Sequence, residues 1–192
     1  MGRWEPDARG RLDKAAMELF RDRGYDRTTV ADIAARAGLT ERTFFRYYAD
    51  KREVLFGGAH QLEELLVAAV EQQPHAADAL EAVGAALEST GPLFKGRYEF
   101  ARARQALIAQ HADLHERELI KLATLAAAIA QALRRRGVKD PAASLAAEAG
   151  VAVFKIGFQR WLDDTRRRAF AHHIREALAE LQAVTGARKR RR

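Results

Sequence analysis

TTVADIAARAGLTERTFFRYYADK, Thr28 to Lys51, holds two helix starts and one tight turn in a single short run. Thr29 is placed to cap a helix over about Val30 to Ala37, with Asp32 as the reciprocal partner of a capping box. Val30, Ile33, Ala34 and Ala37 fall on one face of that helix. Gly38 supplies the permissive backbone of a tight turn, Leu39 plugs the core beneath it, and Thr40 caps a second helix over about Glu41 to Tyr48. Phe44, with Tyr47 or Tyr48, completes the inward face. Any helical hairpin needs a glycine and apolar faces. The outward face separates a DNA reader from the rest: Glu41, Arg42, Thr43 and Arg46 place polar groups where a recognition helix meets base edges. The run therefore predicts a helix-turn-helix over about Thr29 to Tyr48.

Outward from this run the chain reads as helix after helix, without sustained strand alternation. A first helix is predicted over about Pro6 to Arg23, with Leu12, Ala16, Leu19 and Phe20 inward and Gly24 past its end. A fourth starts near Lys51 and ends before Pro74. Further helices are expected over about Ala77 to Glu88, Pro92 to Gln110, Asp113 to Arg136, Pro141 to Asp163 and Arg167 to Thr185. The fold class is all-α with about nine helices. The expected division is a DNA-binding module over residues 1–51, a helical ligand-binding and dimerisation body over 52–186, and a basic tail over 187–192.

The 192 residues are 48% hydrophobic and 31% charged, as in an ordinary globular protein, and no cysteine is present. Disulfides, thiolate nucleophiles and cysteine zinc sites are excluded. The net charge of +7 points to a polyanionic partner, yet five of those charges are Arg188, Lys189, Arg190, Arg191 and Arg192. A terminal basic run is by default a solvated end. No stretch approaches the ~20 apolar residues of a membrane span, and the polar start is unlike a signal peptide, so the expected location is the cytoplasm. No GxSxG, HExxH or phosphate-cradling glycine loop occurs. The sequence predicts no enzyme, cofactor or metal.

GLTERTFFRYYADKREVL, Gly38 to Leu55, resembles the signature of the TetR family of transcriptional regulators, in which an aromatic-rich recognition helix runs into a lysine-containing start of the fourth helix. The resemblance is specific from about Leu12 to Leu55 and only architectural beyond. It implies a homodimer on a palindromic operator in double-stranded DNA, and a repressor released by a small apolar or amphipathic effector. DNA contacts are expected from Thr29, Thr40, Glu41, Arg42, Thr43, Phe45, Arg46, Tyr47 and Lys51. Arg46, Tyr47 and Thr29 can donate to phosphates, Lys51 adds a cation at a helix start, and Asp50 can cap that helix with Glu53 as box partner. Arg42 and Thr43 are the base-reading candidates. Glu41 either accepts from cytosine or only favours the helix dipole. Phe45 stands where the family commonly has tyrosine, and Ala49 where proline is frequent.

Other residues carry two readings each. Arg3, Trp4 and Arg9 form either an arm along the DNA or a solvated end. His111 and His115, with Asp113 and Glu116 nearby, have metal-ligand spacing but lack a third strong ligand, and Asp113 serves equally as a cap. Phe94, Arg97, Tyr98, Arg104, Phe154, Phe158 and Trp161 are candidate effector contacts, although aromatics at helical spacing are commonly core. Ala149, Val153 and Gly157, with Ile174, Leu178 and Leu181, form seams for either internal packing or a four-helix bundle with a second chain; the latter is expected. Two rival functions remain: a DNA-binding regulator without an inducer, and a helical ligand-binding protein that no longer touches DNA.

Overall fold

The computed structural model describes residues 7–74 and 77–186. Arg3, Trp4 and the basic tail lie outside them. Among the described residues all regular structure is helical. Nine α-helices have seven residues or more: α1 (Ala8–Arg23), α2 (Val30–Arg36), α3 (Glu41–Tyr47), α4 (Ala59–Gln72), α5 (Ala79–Ser89), α7 (Tyr98–Gln110), α8 (Ala112–Arg135), α9 (Ala142–Asp163) and α10 (Phe170–Gly186). The single turn Gly91–Phe94 is α6, and Lys51–Phe56 winds as a 3-10 helix. Two expected helices are thus divided. The fourth was expected to be continuous from Lys51, but Val54, Leu55 and Phe56 are all buried in succession, which no one face of an α-helix allows. Gly57 and Gly58, poor helix formers, follow before α4 starts. The predicted helix from Pro92 is interrupted at Gly96, whose φ of 73° reverses the chain between α6 and α7.

The chain forms two compact units. The first comprises residues up to Ala59 together with Arg102–Glu118; the second comprises His60–Ala101 and everything from Leu119. The expected module ended at residue 51 and took nothing from α7 or α8. The reason for the difference is burial. Ile108 and Leu114 are fully enclosed in the same apolar cluster as Leu12, Leu19, Phe20, Ile33, Phe44 and Leu55. Each side chain of that size contributes roughly 1.5–3 kcal/mol when fully buried. Arg104 reinforces this join: its Nε donates to Leu55 O at 2.6 Å, and its Nη1 lies 3.1 Å from Glu118 Oε1.

In the second unit α5, α9 and α10 pack on one another at positions without side chains. A Cβ on Gly84 would meet Leu178 Cδ2 at 2.4 Å, and one on Gly150 would meet Val83 Cγ1 at 2.3 Å. The small-residue stripe of α9 therefore receives neighbours from its own chain. Val153 and Ile174 are buried there.

Candidate nucleic-acid interface

The helix-turn-helix is held at each joint by a hydrogen bond that the sequence encodes. Thr29 Oγ1 accepts from Asp32 N at 3.1 Å while Asp32 Oδ2 accepts from Thr29 N at 3.0 Å, closing the capping box of α2. The Thr29 hydroxyl, donating to Asp32 Oδ2, and then the Thr29 N–H hold the Asp32 carboxyl below the usual carboxylate range. At the far end Gly38, at φ 67°, donates to Ala35 O at 3.0 Å, and Leu39 N donates to Ala34 O at 2.8 Å. This is the paired C-terminal closure that a left-handed glycine permits. Thr40 Oγ1 then accepts from Thr43 N at 3.2 Å and opens α3.

Phe44 is wholly buried and Tyr48 nearly so, fixing which face of α3 points away. Tyr48 ties the helix to α1: its hydroxyl donates to Asp13, and Arg9 Nε donates to it at 3.2 Å. Burial, then the Asp13 carboxylate, pushes this phenol well above its usual range, so it stays neutral. Arg9, read from sequence as part of either an arm along the DNA or a solvated end, is engaged here and also donates to Gly57 O.

The exposed face carries Glu41, Arg42, Phe45, Arg46 and Tyr47, with Thr40 at its start and Thr43 half-buried. Phe45 is 54% exposed and Tyr47 40%, so two aromatic side chains stand open on this face. Arg46 lies over the Tyr47 ring and donates to its hydroxyl at 3.2 Å. Thr43 shares a 3.0 Å hydroxyl contact with Thr40. Thr29 remains exposed, but its hydroxyl already donates to Asp32 at 2.7 Å.

Lys51 departs most from expectation. Its Nζ donates to the carbonyls of Tyr25, Thr28 and Asp26 at 2.8, 3.1 and 3.4 Å, and sits 4.2 Å from the centre of the Tyr25 ring. Asp50 caps the 3-10 turn through Arg52 N and Glu53 N, as expected. Glu53 does not complete a box; it pairs with Arg117 at 2.5 Å.

Of the candidate effector contacts, Phe94, Tyr98, Phe154, Phe158 and Trp161 come together in the second unit. Phe94 stacks 3.9 Å from Phe170, the first residue of α10, and lies 5.5 Å from Trp161. Tyr98 meets Trp161 at 5.3 Å. Arg97 is exposed. Arg104 is not with them, being part of the first unit. Among the expected interface residues, Val153, Gly157 and Ile174 are internal, Leu178 packs on Gly84, and Leu181 and Ala149 are half-buried. The open face of α9 lies elsewhere. Leu145 (65% exposed) and Ile156 (49%) flank Ala149 and Ala152 at spacings of four, three and four. His111, one of the metal candidates, packs 4.9 Å from the Tyr25 ring, and no group of three or more potential ligands occurs among the described residues. No helix among them is long and apolar enough to cross a membrane.

Residues 13–56 match the family model of bacterial regulatory proteins, tetR family, and residues 77–186, more than half of the chain, match that of the MftR C-terminal domain. The transcriptional regulator TcmR of Streptomyces glaucescens is 37% identical over 81 residues, 42% of this chain and 36% of that protein. The chain thus aligns with about a third of that relative's length. Among solved structures, a TetR-family regulator from Syntrophomonas wolfei superposes with a TM-score of 0.65 at 16% identity, covering 93% of this chain and 94% of the other. FadR from Bacillus subtilis in complex with stearoyl-CoA gives 0.61 at 18%, covering 88% and 95%.

Proposed function

Since the chain belongs to the TetR family of bacterial regulatory proteins, we propose that it is a cytoplasmic, non-enzymatic transcriptional regulator that reads a palindromic operator as a homodimer. The observation that carries this reading is the outer face of α3. Two arginines, a glutamate and two exposed aromatics stand on a helix whose cap, turn and buried anchor are all fixed. Guanidinium groups suit guanine edges and phosphates, and an exposed phenyl suits a thymine methyl. The test is selection of bound duplexes from a random pool, then binding across a salt series. Recovery of a palindrome whose affinity falls steeply with salt supports the reading. Sequence-independent or absent binding rejects it in favour of the ligand-binding protein without DNA.

Release by an apolar or amphipathic effector is the second element. The aromatic cluster around Phe94, Tyr98, Phe154, Phe158 and Trp161 is the place we assign to it, and Arg97, next to Tyr98 in the chain, is an exposed cation for an acidic head group. The stearoyl-CoA complex of FadR illustrates such a ligand in a protein of this fold. An effector must favour the form that does not bind DNA, since equal affinity shifts nothing. A thermal-shift screen of lipophilic acids and neutral lipophiles, followed by DNA release with each hit, tests it. Hits that stabilise the protein without releasing DNA leave the regulator without an inducer.

A further inference from the structure

We propose that Lys51 is a positioning residue for DNA binding and not a phosphate ligand, an inference that rests on the reading of the chain as a DNA-binding regulator. An ammonium group has three N–H donors. In this chain three carbonyls surround it, those of Tyr25, Asp26 and Thr28, all from the loop that joins α1 to α2. The Tyr25 ring, 4.2 Å away, covers a further side of the cation.

That ring is itself fixed. Tyr25 is 4% exposed, with Phe20 edge-on at 5.2 Å and His111 at 4.9 Å. The loop starts at Gly24, in left-handed backbone, whose carbonyl accepts from the Thr28 hydroxyl at 2.8 Å. Thr28 directly precedes Thr29, the cap of α2. Lys51 therefore holds the carbonyl one residue ahead of the cap, and through it the entry of α2 and the seat of α3. A phosphate could reach this ammonium only by displacing a loop carbonyl.

The two roles differ in what salt does. Loss of a phosphate contact lowers the slope of log K against log salt by about 0.9 for each contact. Loss of a positioning residue lowers affinity and leaves the slope alone. The experiment uses the full chain and a duplex selected from a random pool with the unaltered protein, at temperatures where each variant is fully folded. Lys51→Met is expected to bind at least about tenfold more weakly, on the scale of hydrogen bonds to a charged group, with an unchanged slope. Amide exchange at Asp32 and Ile33 should quicken. Lys51→Gln, uncharged but still a donor, should recover part of the affinity. A shallower slope with unchanged exchange, and Lys51→Gln as weak as Lys51→Met, overturns the proposal. If Lys51→Met does not fold, Lys51→Gln carries the slope comparison. If the unaltered chain selects no duplex, the proposed function fails; the exchange measurement still decides the role of Lys51, and unchanged protection rejects it.

Discussion

Ile174 occupies the space that Gly157 leaves open: a Cβ on the glycine would stand 2.7 Å from Ile174 Cδ1 and 3.3 Å from its Cα. The contact joins α9 to α10 within one chain. Gly157→Val should therefore lower stability by about 1–3 kcal/mol, the usual cost of overpacking, without changing association. Thermal melts with sedimentation at matched concentration check it. A variant of normal stability but altered association would place the glycine between chains instead.

Charge on the open face of α9 should have the opposite effect. Leu145→Glu with Ile156→Glu removes an apolar stripe whose ends are 65% and 49% exposed, so folding should be spared. Dimers should dissociate in sedimentation, and operator affinity should fall because one half-site is held at a time. Dimers that persist would rule this face out.

On the recognition helix, Arg42→Ala should cost about 1–3 kcal/mol on the preferred site and relax one base pair per half-site. Arg46→Ala should weaken all sequences alike, since a phosphate contact carries no base information. Repeating the random-pool selection with each variant distinguishes them. An unaltered consensus from Arg42→Ala would remove that residue from base reading.

The joint between α9 and α10 should respond to acid in two stages. Buried His173 sits with Nε2 3.2 Å from Asp164 Oδ2 and Nδ1 3.9 Å from Glu176 Oε2; Arg168 and His172 are also close. Burial, with the nearby Arg168 and His172 charges adding to it, holds the His173 pKa below its ordinary value despite the opposing pull of Asp164. The folded state thus binds a proton less readily than the unfolded one, and stability should decline as pH falls below about 6.5. Asp164 is held well below its ordinary value, first by its hydrogen bond from Arg168, with the Arg168 and Arg166 backbone N–H groups adding to it. Its contribution is complete at neutral pH and should be lost below about 4. Melting temperatures from pH 8 to pH 3 check both. His173→Asn should flatten the first decline and Asp164→Asn the second; identical profiles in all three proteins would contradict the assignment.

The turn chemistry was the most legible part of the sequence. Thr29, Asp32, Gly38 and Thr40 act over three or four residues, so their pattern dictates geometry directly. The outward face of α3 followed from that register. What escaped was set at a distance. Nothing near Lys51 shows that three carbonyls from residues 25–28 will surround its ammonium. The small residues of α9 revealed close packing but not which helix would approach, and α5 and α10 of the same chain did. Ile108 and Leu114 read as part of the body because their enclosure depends on residues about fifty to a hundred positions earlier.

That enclosure bears on how the protein is made. The first unit is discontinuous, and its apolar cluster includes Leu114. Synthesis proceeds from the N-terminus at about 5–20 residues per second, so α1 to α3 leave the ribosome several seconds before the segment that completes their core. During that interval the DNA-reading helices lack part of their support. A nascent chain therefore completes the core beneath its recognition helix only once Leu114 has been added.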